Sequence, residues 1–243
     1  MYEFIKEMKS REISLPVHGA LEYLPDLEVA SLRRENMFLC VKGGNNMEHH
    51  NHNDVGSFVL YDGGDPVLID VGIGVYTRFT FDNSTRYSKI LWTQSLYHNL
   101  PVINGVAQKY GKAFRSSAFE VDNGTVRVSF AEAYPDKAGV DSALRKITLT
   151  DGGMSLTDRF EAAKAPDVTE CFMTALPVRV EENRAYIGEK YVLEASVGEV
   201  SAEFVSFDGD ANLKIDWKTE GVTRISVKAE GAASVMVLLN TVK

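Results

Sequence analysis

The sequence has no apolar stretch long enough to cross a bilayer; the longest, around Val235 to Leu239, is far short of the ~20 residues needed. Its first fifteen residues, MYEFIKEMKSREISL, are charged throughout and lack the apolar run of a signal peptide. Cysteine is scarce: Cys40 and Cys171 both sit in apolar stretches, which predicts two buried thiols rather than a disulfide framework. Positive charge is also short, with 26 Lys and Arg against 34 Asp and Glu. The net charge of −8 and the absence of a basic run exclude a nucleic-acid partner on simple electrostatic grounds. The same balance is awkward for any polyanionic ligand unless a local basic cleft overrides the average.

Helical periodicity is missing too. Only the first dozen residues, with Phe4 and Met8 four apart, predict a short N-terminal helix. After an irregular connection to residue 36, strand patterns follow one another from Met37: FLCVK, GSFVLY, PVLIDV, TVRVSFAEAY, ALRKITLT, MSLTDRFEA, VTECFMTALPVRV, YVLEASV, SAEFVSF, NLKIDW, TRISVKA and SVMVLLN. Asp62-Gly63-Gly64-Asp65 reads as a hairpin, and Asp122-Asn123-Gly124 and Asp151-Gly152-Gly153 as further turns. So many strands without crossover helices predict an all-β protein, an antiparallel multi-stranded β-sandwich over 37–243. The stretch 163–167, within AAKAPD, offers a softer subdivision.

What chemistry there is concentrates between Lys42 and Gln108, where four of the five histidines fall. In KGGNNMEHHNHNDVGSF, His50 and His52 lie two apart and share a face if the segment is extended. Asp70 ends the apolar run PVLID, where a carboxylate is costly unless paired or metal-bound. His98 precedes another strand in YHNLP. Two histidines and an aspartate can hold zinc with a position to spare; a polar loop with no metal is the plainer reading of the same residues. Direct pairing of 57–61 with 66–70 would set Asp70 opposite Ser57, so residues 50 to 56 must bend, at Gly56, to bring His52 near. Asn51, Asn53 and Asp54 either orient ligands or form a turn. Gly72 and Gly74 make no dinucleotide fingerprint. A cupin-like metal site is disfavoured because residues 55 to 65 hold no glutamate.

KGGNN, EHHNHNDVGSF, the aspartate in DVGIG and the later YHN together resemble the signature of heparinase II/III-like polysaccharide lyases, specifically over roughly 65 residues. The resemblance implies zinc bound by His52, Asp70 and His98, with His50 beside the metal as a catalytic residue. Tyr76 and Arg78, in VYTRF, are candidate contacts to a uronate carboxylate, or simply a core tyrosine beside a surface arginine. His49 and His18 are expected to be surface or packing residues. The reaction implied is β-elimination on a uronic-acid polymer, heparan-type or alginate. In that family a helical α/α toroid supplies a catalytic tyrosine, for which this chain has no helical pattern. A chain weak or inactive alone is therefore expected, working with a separate toroid or as a homo-oligomer. The alternative is a non-catalytic carbohydrate-binding sandwich that keeps the metal. The family implies a periplasmic or secreted setting.

Overall fold

The computed structural model describes residues 19–242. The helix expected around Phe4 and Met8, and His18, lie outside the described residues. The rest is a β-sandwich of antiparallel sheets. An eight-stranded sheet runs, in spatial order, through Val178–Glu181, Arg184–Ile187, Tyr191–Ala195, Ser234–Thr241, Gly153–Glu161, Ser142–Thr150, Thr125–Ser129 and Ala118–Asp122. Facing it are two smaller sheets. One is a five-stranded meander of Leu21–Leu24, Val29–Arg34, Met37–Lys42, Phe58–Asp62 and Asp65–Leu68. The other has four strands, in the order Glu199–Ser206, Gly221–Ala229, Val168–Thr174 and Pro101–Ile103.

The alternation of the sequence builds the core directly. Ala143, Ile147 and Leu149 point inward from one strand, and Met154, Leu156 and Phe160 from its neighbour. They meet Leu32, Leu39, Leu60, Phe172, Ile225 and Val227 from the smaller sheets, all buried. Each of these side chains larger than alanine contributes about 1.5–3 kcal/mol on burial. Two residues in the same inward phase are charged: Arg145 and Asp158 stand directly opposite each other across the ladder, both 0% exposed.

Several expectations are corrected. The sheet begins at Leu21 rather than Met37, because Val29–Arg34 pairs in full register with Met37–Lys42. NLKIDW is not a strand but part of the helix Ala211–Trp217, capped by the Asp210 carboxylate, which accepts from the Leu213 amide at 3.3 Å. Leu213 is buried in it while Ile215 is 71% exposed, so the apolar spacing was read with the wrong period. A one-turn helix, Arg86–Lys89, also interrupts the strands. The stretch 163–167 does not divide the chain, since Gly153–Glu161 pairs with Ser234–Thr241 and Val168–Thr174 with Pro101–Ile103. Both cysteines are free thiols, Cys171 buried and Cys40 partly so.

Candidate metal centre

The hairpin that leads to Asp70 carries a register shift between Leu60 and Tyr61. Leu60 pairs with Leu68 and Tyr61 with Pro66, so the strand ends at Leu68 and Asp70 does not pair with Ser57. Beyond it the Ile69 amide donates to the Met173 carbonyl at 2.9 Å, joining the five-stranded sheet to the four-stranded one. Asp70 emerges at this junction. Its Oδ1 accepts from the Gly72 amide at 2.8 Å. Gly74 leaves room for Asp210, whose Oδ2 would stand 1.5 Å from an added Cβ. His98 ends a turn of 3-10 helix, Ser95–Tyr97, just before the strand Pro101–Ile103.

The third segment is the loop from Asn45 to Ser57. It turns at Val55 and Gly56, where φ is +84°, a conformation glycine adopts without strain. Its polar side chains are spent on holding it. Asn46 Oδ1 accepts from the Asp54 amide, and Asp54 pairs with Lys42 at 2.7 Å. Gln108 is the hub: its Oε1 accepts from Asn46 Nδ2 and the Val55 amide, and its Nε2 donates to the Val55 carbonyl at 2.7 Å. Asn53 donates through its amide to the Thr93 carbonyl and through Nδ2 to the Gln108 carbonyl. Asn51 Oδ1 accepts from the Tyr87 hydroxyl at 3.1 Å.

These three segments bring His52, Asp70 and His98 together, with one ligand atom from each lying within 4.8 Å of the others. His98 is 0% exposed and His52 8%, and their rings are 5.2 Å apart. The Asp70 side chain is 36% exposed and forms the open side of the site. Both ring nitrogens of His98 are buried without a hydrogen-bond partner. Its Nδ1 lies 3.1 Å from Asp70 Oδ2, but not in hydrogen-bonding geometry. Two ligands at ~2.0–2.1 Å on a tetrahedral zinc stand about 3.3 Å apart. The pair is therefore spaced as two ligands of one ion would be, and the donor set fits zinc.

The electrostatics favour ligation at His52 and Asp70. Burial, then the neighbouring His98, lowers the His52 pKa to about 4, so its imidazole is neutral near pH 7 and keeps a lone pair to give. For Asp70, burial opposes ionisation, but the two histidines and the Gly72 amide outweigh it and hold the carboxyl well below the usual range. Burial pushes His98 down and Asp70 pulls it up, with a net rise.

His50 does not share the pocket through an extended H-x-H. It sits in a turn at φ +59°, in the left-handed region, and is exposed. His49 is exposed as well. Tyr76 is 55% exposed and stacks on Phe81, and Arg78 lies over the Phe79 ring at 4.7 Å. The structure thus assembles the three metal-ligand candidates and leaves His50, Tyr76 and Arg78 at the surface.

Two arginines were not singled out from the sequence. Arg86 is 9% exposed, its Nε lacks a hydrogen-bond partner, and no carboxylate pairs with it among the described residues. Its charge is among those that act on His52. Arg86 is held against the site by its own carbonyl, which accepts from Thr93 Oγ1 at 3.1 Å. Arg145 lies deeper. Its Nη1 donates to the Gly56 carbonyl at 2.9 Å and the Asn99 carbonyl at 2.6 Å, gripping the His52 loop and the residue after His98. Its other nitrogens meet Asp158 and Glu170.

An antiparallel sandwich with a buried two-histidine, one-aspartate centre defines the class. Residues 17–216 match the family model described as heparinase II/III-like, C-terminal, and the chain belongs to that family. Among curated proteins no sequence matches. Among solved structures, the chain resembles the heparinase III BT4657 gene product, with TM-score 0.71 at 13% identity, over 97% of this chain and 38% of that one. A second heparinase III aligns with TM-score 0.66 at 17% identity, over 94% and 37% of the two chains. The heparan sulfate lyase HepC from Pedobacter heparinus aligns with TM-score 0.66 at 13% identity, over 99% and 41%. At these identities the likeness is one of fold, and the chain spans roughly two fifths of the length of these structures.

Proposed function

We propose that this chain is the zinc-binding sandwich portion of a polysaccharide lyase that cleaves a uronic-acid polymer, heparan-type or alginate, by β-elimination. The observation that carries the reading is the convergence of His52, Asp70 and His98 within 4.8 Å, with both His98 nitrogens otherwise unpartnered. His52, Asp70 and His98 would hold the zinc, whose charge would tie the Asn45–Ser57 loop to the sheet junction. Elimination consumes no water, so the metal's part is to hold geometry.

In the reaction a base takes the proton from the carbon α to the uronate carboxylate. The electron pair forms the new double bond, the bond to the glycosidic oxygen breaks, and an acid protonates the departing oxygen. As the α-proton leaves, negative charge grows on the carboxylate and needs a donor. His50, accessible on the same loop as His52, is assigned as base or donor. Arg86, which pairs with no carboxylate among the described residues and lies over the Tyr87 ring, supplies a cation to the uronate carboxylate, and Tyr76 and Arg78 extend the substrate surface. A tyrosine from a helical partner domain completes the acid–base pair, so the chain alone turns over weakly.

The test is elemental analysis together with unsaturated uronate formation, read by its ultraviolet absorbance, for the chain alone and with the helical domain added. About one zinc per chain, little turnover alone and restored turnover in the pair are expected. Protein never exposed to chelator that holds no transition metal, or robust turnover by the chain alone, would overturn the corresponding half. Zinc and glycan binding with no turnover in either form would favour a non-catalytic carbohydrate-binding sandwich.

A further inference from the structure

The sequence contains no basic run, yet the fold gathers Arg127, Lys146 and Arg159 around one cavity of about 300 Å³ on the outer face of the eight-stranded sheet. They come from three adjacent strands. Arg127 lies directly opposite Lys146, Lys146 opposite Thr157, and Arg159 two residues further along that face, opposite Leu144. Like charges directly opposite one another destabilise a ladder. Among the described residues none of the three makes an ion pair that would relieve them. Glu120, in register with Arg127, and Glu161, two residues beyond Arg159, do not close to ion-pair distance.

The cavity is separate from the metal centre. Arg145 and Lys146 are consecutive and point to opposite faces of the sheet. Arg145 points inward to the carbonyls of Gly56 and Asn99, so Lys146 and its cluster stand on the far face from the triad. Leu144 gives the cavity an apolar wall and Thr157 a hydroxyl. An apolar wall beside three unpaired cations suits a sugar ring bearing acidic groups, and the volume falls at the small end of the ~300–1,000 Å³ typical of ligand sites.

We infer that this cavity is a second, non-catalytic site that binds an acidic saccharide unit through its carboxylate or sulfate groups. The choice of a saccharide over a free anion rests on the proposed function. Such a site would keep a long polymer on the protein while another stretch occupies the metal centre, and charge steering would overcome the overall −8.

Isothermal titration of the zinc-loaded chain with alginate oligosaccharides and, separately, heparan-type oligosaccharides tests it at low and high salt. The triple variant Arg127→Gln, Lys146→Gln, Arg159→Gln is compared with a control of equal charge change elsewhere, Lys112→Gln, Lys137→Gln, Lys228→Gln. We expect at least tenfold weaker binding in the first, little change in the control, and a steep loss with salt in the parent. Binding of both oligosaccharides or of either one supports the site and says whether sulfate is required. Equal weakening by the control shows bulk charge alone and overturns it. Loss of all binding in His52→Ala places the polymer at the metal centre and also overturns it. A zinc-loaded parent that binds neither oligosaccharide refutes the outer site while leaving the zinc reading intact. Displacement of bound oligosaccharide by millimolar inorganic sulfate would reduce the cavity to a simple anion site.

Discussion

Arg145 donates to the carbonyl oxygen of Asn99 at 2.6 Å, which connects a fully buried charge of the sandwich to the residue that follows His98. Asn99 passes the connection on. Its Nδ2 donates to the carbonyls of Phe58 and Ile69, at 2.6 and 3.1 Å, and its Oδ1 accepts from the Met173 amide at 2.8 Å. One side chain thus fixes the spacing between the segments that carry His98 and Asp70.

Asn99→Ala should therefore cost more than its size suggests. Three buried backbone groups lose their partner, at about 1–3 kcal/mol each and not fully additive, so a total of roughly 3–5 kcal/mol is expected. Because Ile69 immediately precedes Asp70, zinc affinity should fall along with stability, by tenfold or more. Urea unfolding paired with competition against a zinc-binding dye reads both. Normal stability and normal zinc affinity in this variant would remove Asn99 from the metal centre's support.

Glu170 predicts a pH effect. Burial raises its pKa well above the usual carboxylate range, Asp158 raises it further, and Arg145 only partly offsets them. Its Oε2 accepts from Arg145 at 3.1 Å while its Oε1 has no hydrogen-bond partner, so Glu170 keeps its proton to a higher pH than a free glutamate does. In the unfolded chain it ionises near pH 4.3. Above that value the folded state holds a proton that the unfolded state has released. The contribution to stability is then lost as pH rises, by at most about 1.4 kcal/mol per unit, until the folded pKa is passed. Glu170→Gln should remove this negative slope above about pH 5 while changing stability near pH 5 by less than about 1 kcal/mol. Parallel slopes in the two proteins would mean that Glu170 is ionised in the fold.

The candidate cluster was legible only in part: histidines and an isolated aspartate at the end of an apolar run stand out by chemistry, but the choice of His52 over His50 came from the family resemblance. Its assembly was not. The shifted register at Leu60 and Tyr61 and the left-handed turn at His50 are backbone events that periodicity does not register. The strands themselves were legible where alternation is strong, as in Gly221–Ala229. It was lost in Ala118–Asp122, where no position is fully buried, and in Ala211–Trp217, where a cap decides between helix and strand. Arg145 and Asp158 did leave a signal: each falls in phase with the apolar residues of its strand, which places it inward. The cluster of Arg127, Lys146 and Arg159 left none, because cross-strand register alone brings the three together.

Arg86 separates a substrate role from a structural one. A buried guanidinium without a carboxylate is a cost to the fold. Arg86→Met, which keeps most of the side chain's volume, should leave the melting temperature unchanged or slightly raised and zinc content intact. Affinity for a uronate-bearing oligosaccharide at the metal centre should fall, by about 1.5–3 kcal/mol if one charge-assisted hydrogen bond is lost. Calorimetric melting and titration in a background lacking the outer-face cations would show both. A large drop in melting temperature with unchanged saccharide affinity would assign Arg86 to the fold instead.

His50 and His52, chemically identical and two residues apart, should behave oppositely. His52 is buried, with its pKa lowered to about 4, and contributes a ligand atom to the triad. Replacing it with alanine should release the metal, and with it the linkage term RT ln(1 + [L]/Kd), roughly 2.7 kcal/mol at free zinc ~100-fold above Kd. His50 is exposed and contributes nothing to the core. His50→Ala should leave zinc content and melting temperature close to the parent's. With the helical domain supplied, however, turnover should fall by about 10²–10⁴-fold, mainly in kcat, the usual cost of removing a positioned acid–base group. Metal analysis, calorimetry and uronate absorbance on the two variants decide the matter together. If His50→Ala strips the zinc and His52→Ala does not, the ligand assignment is reversed. If His50→Ala keeps full turnover, the base lies elsewhere, and Arg86 and the partner domain are left to carry the chemistry.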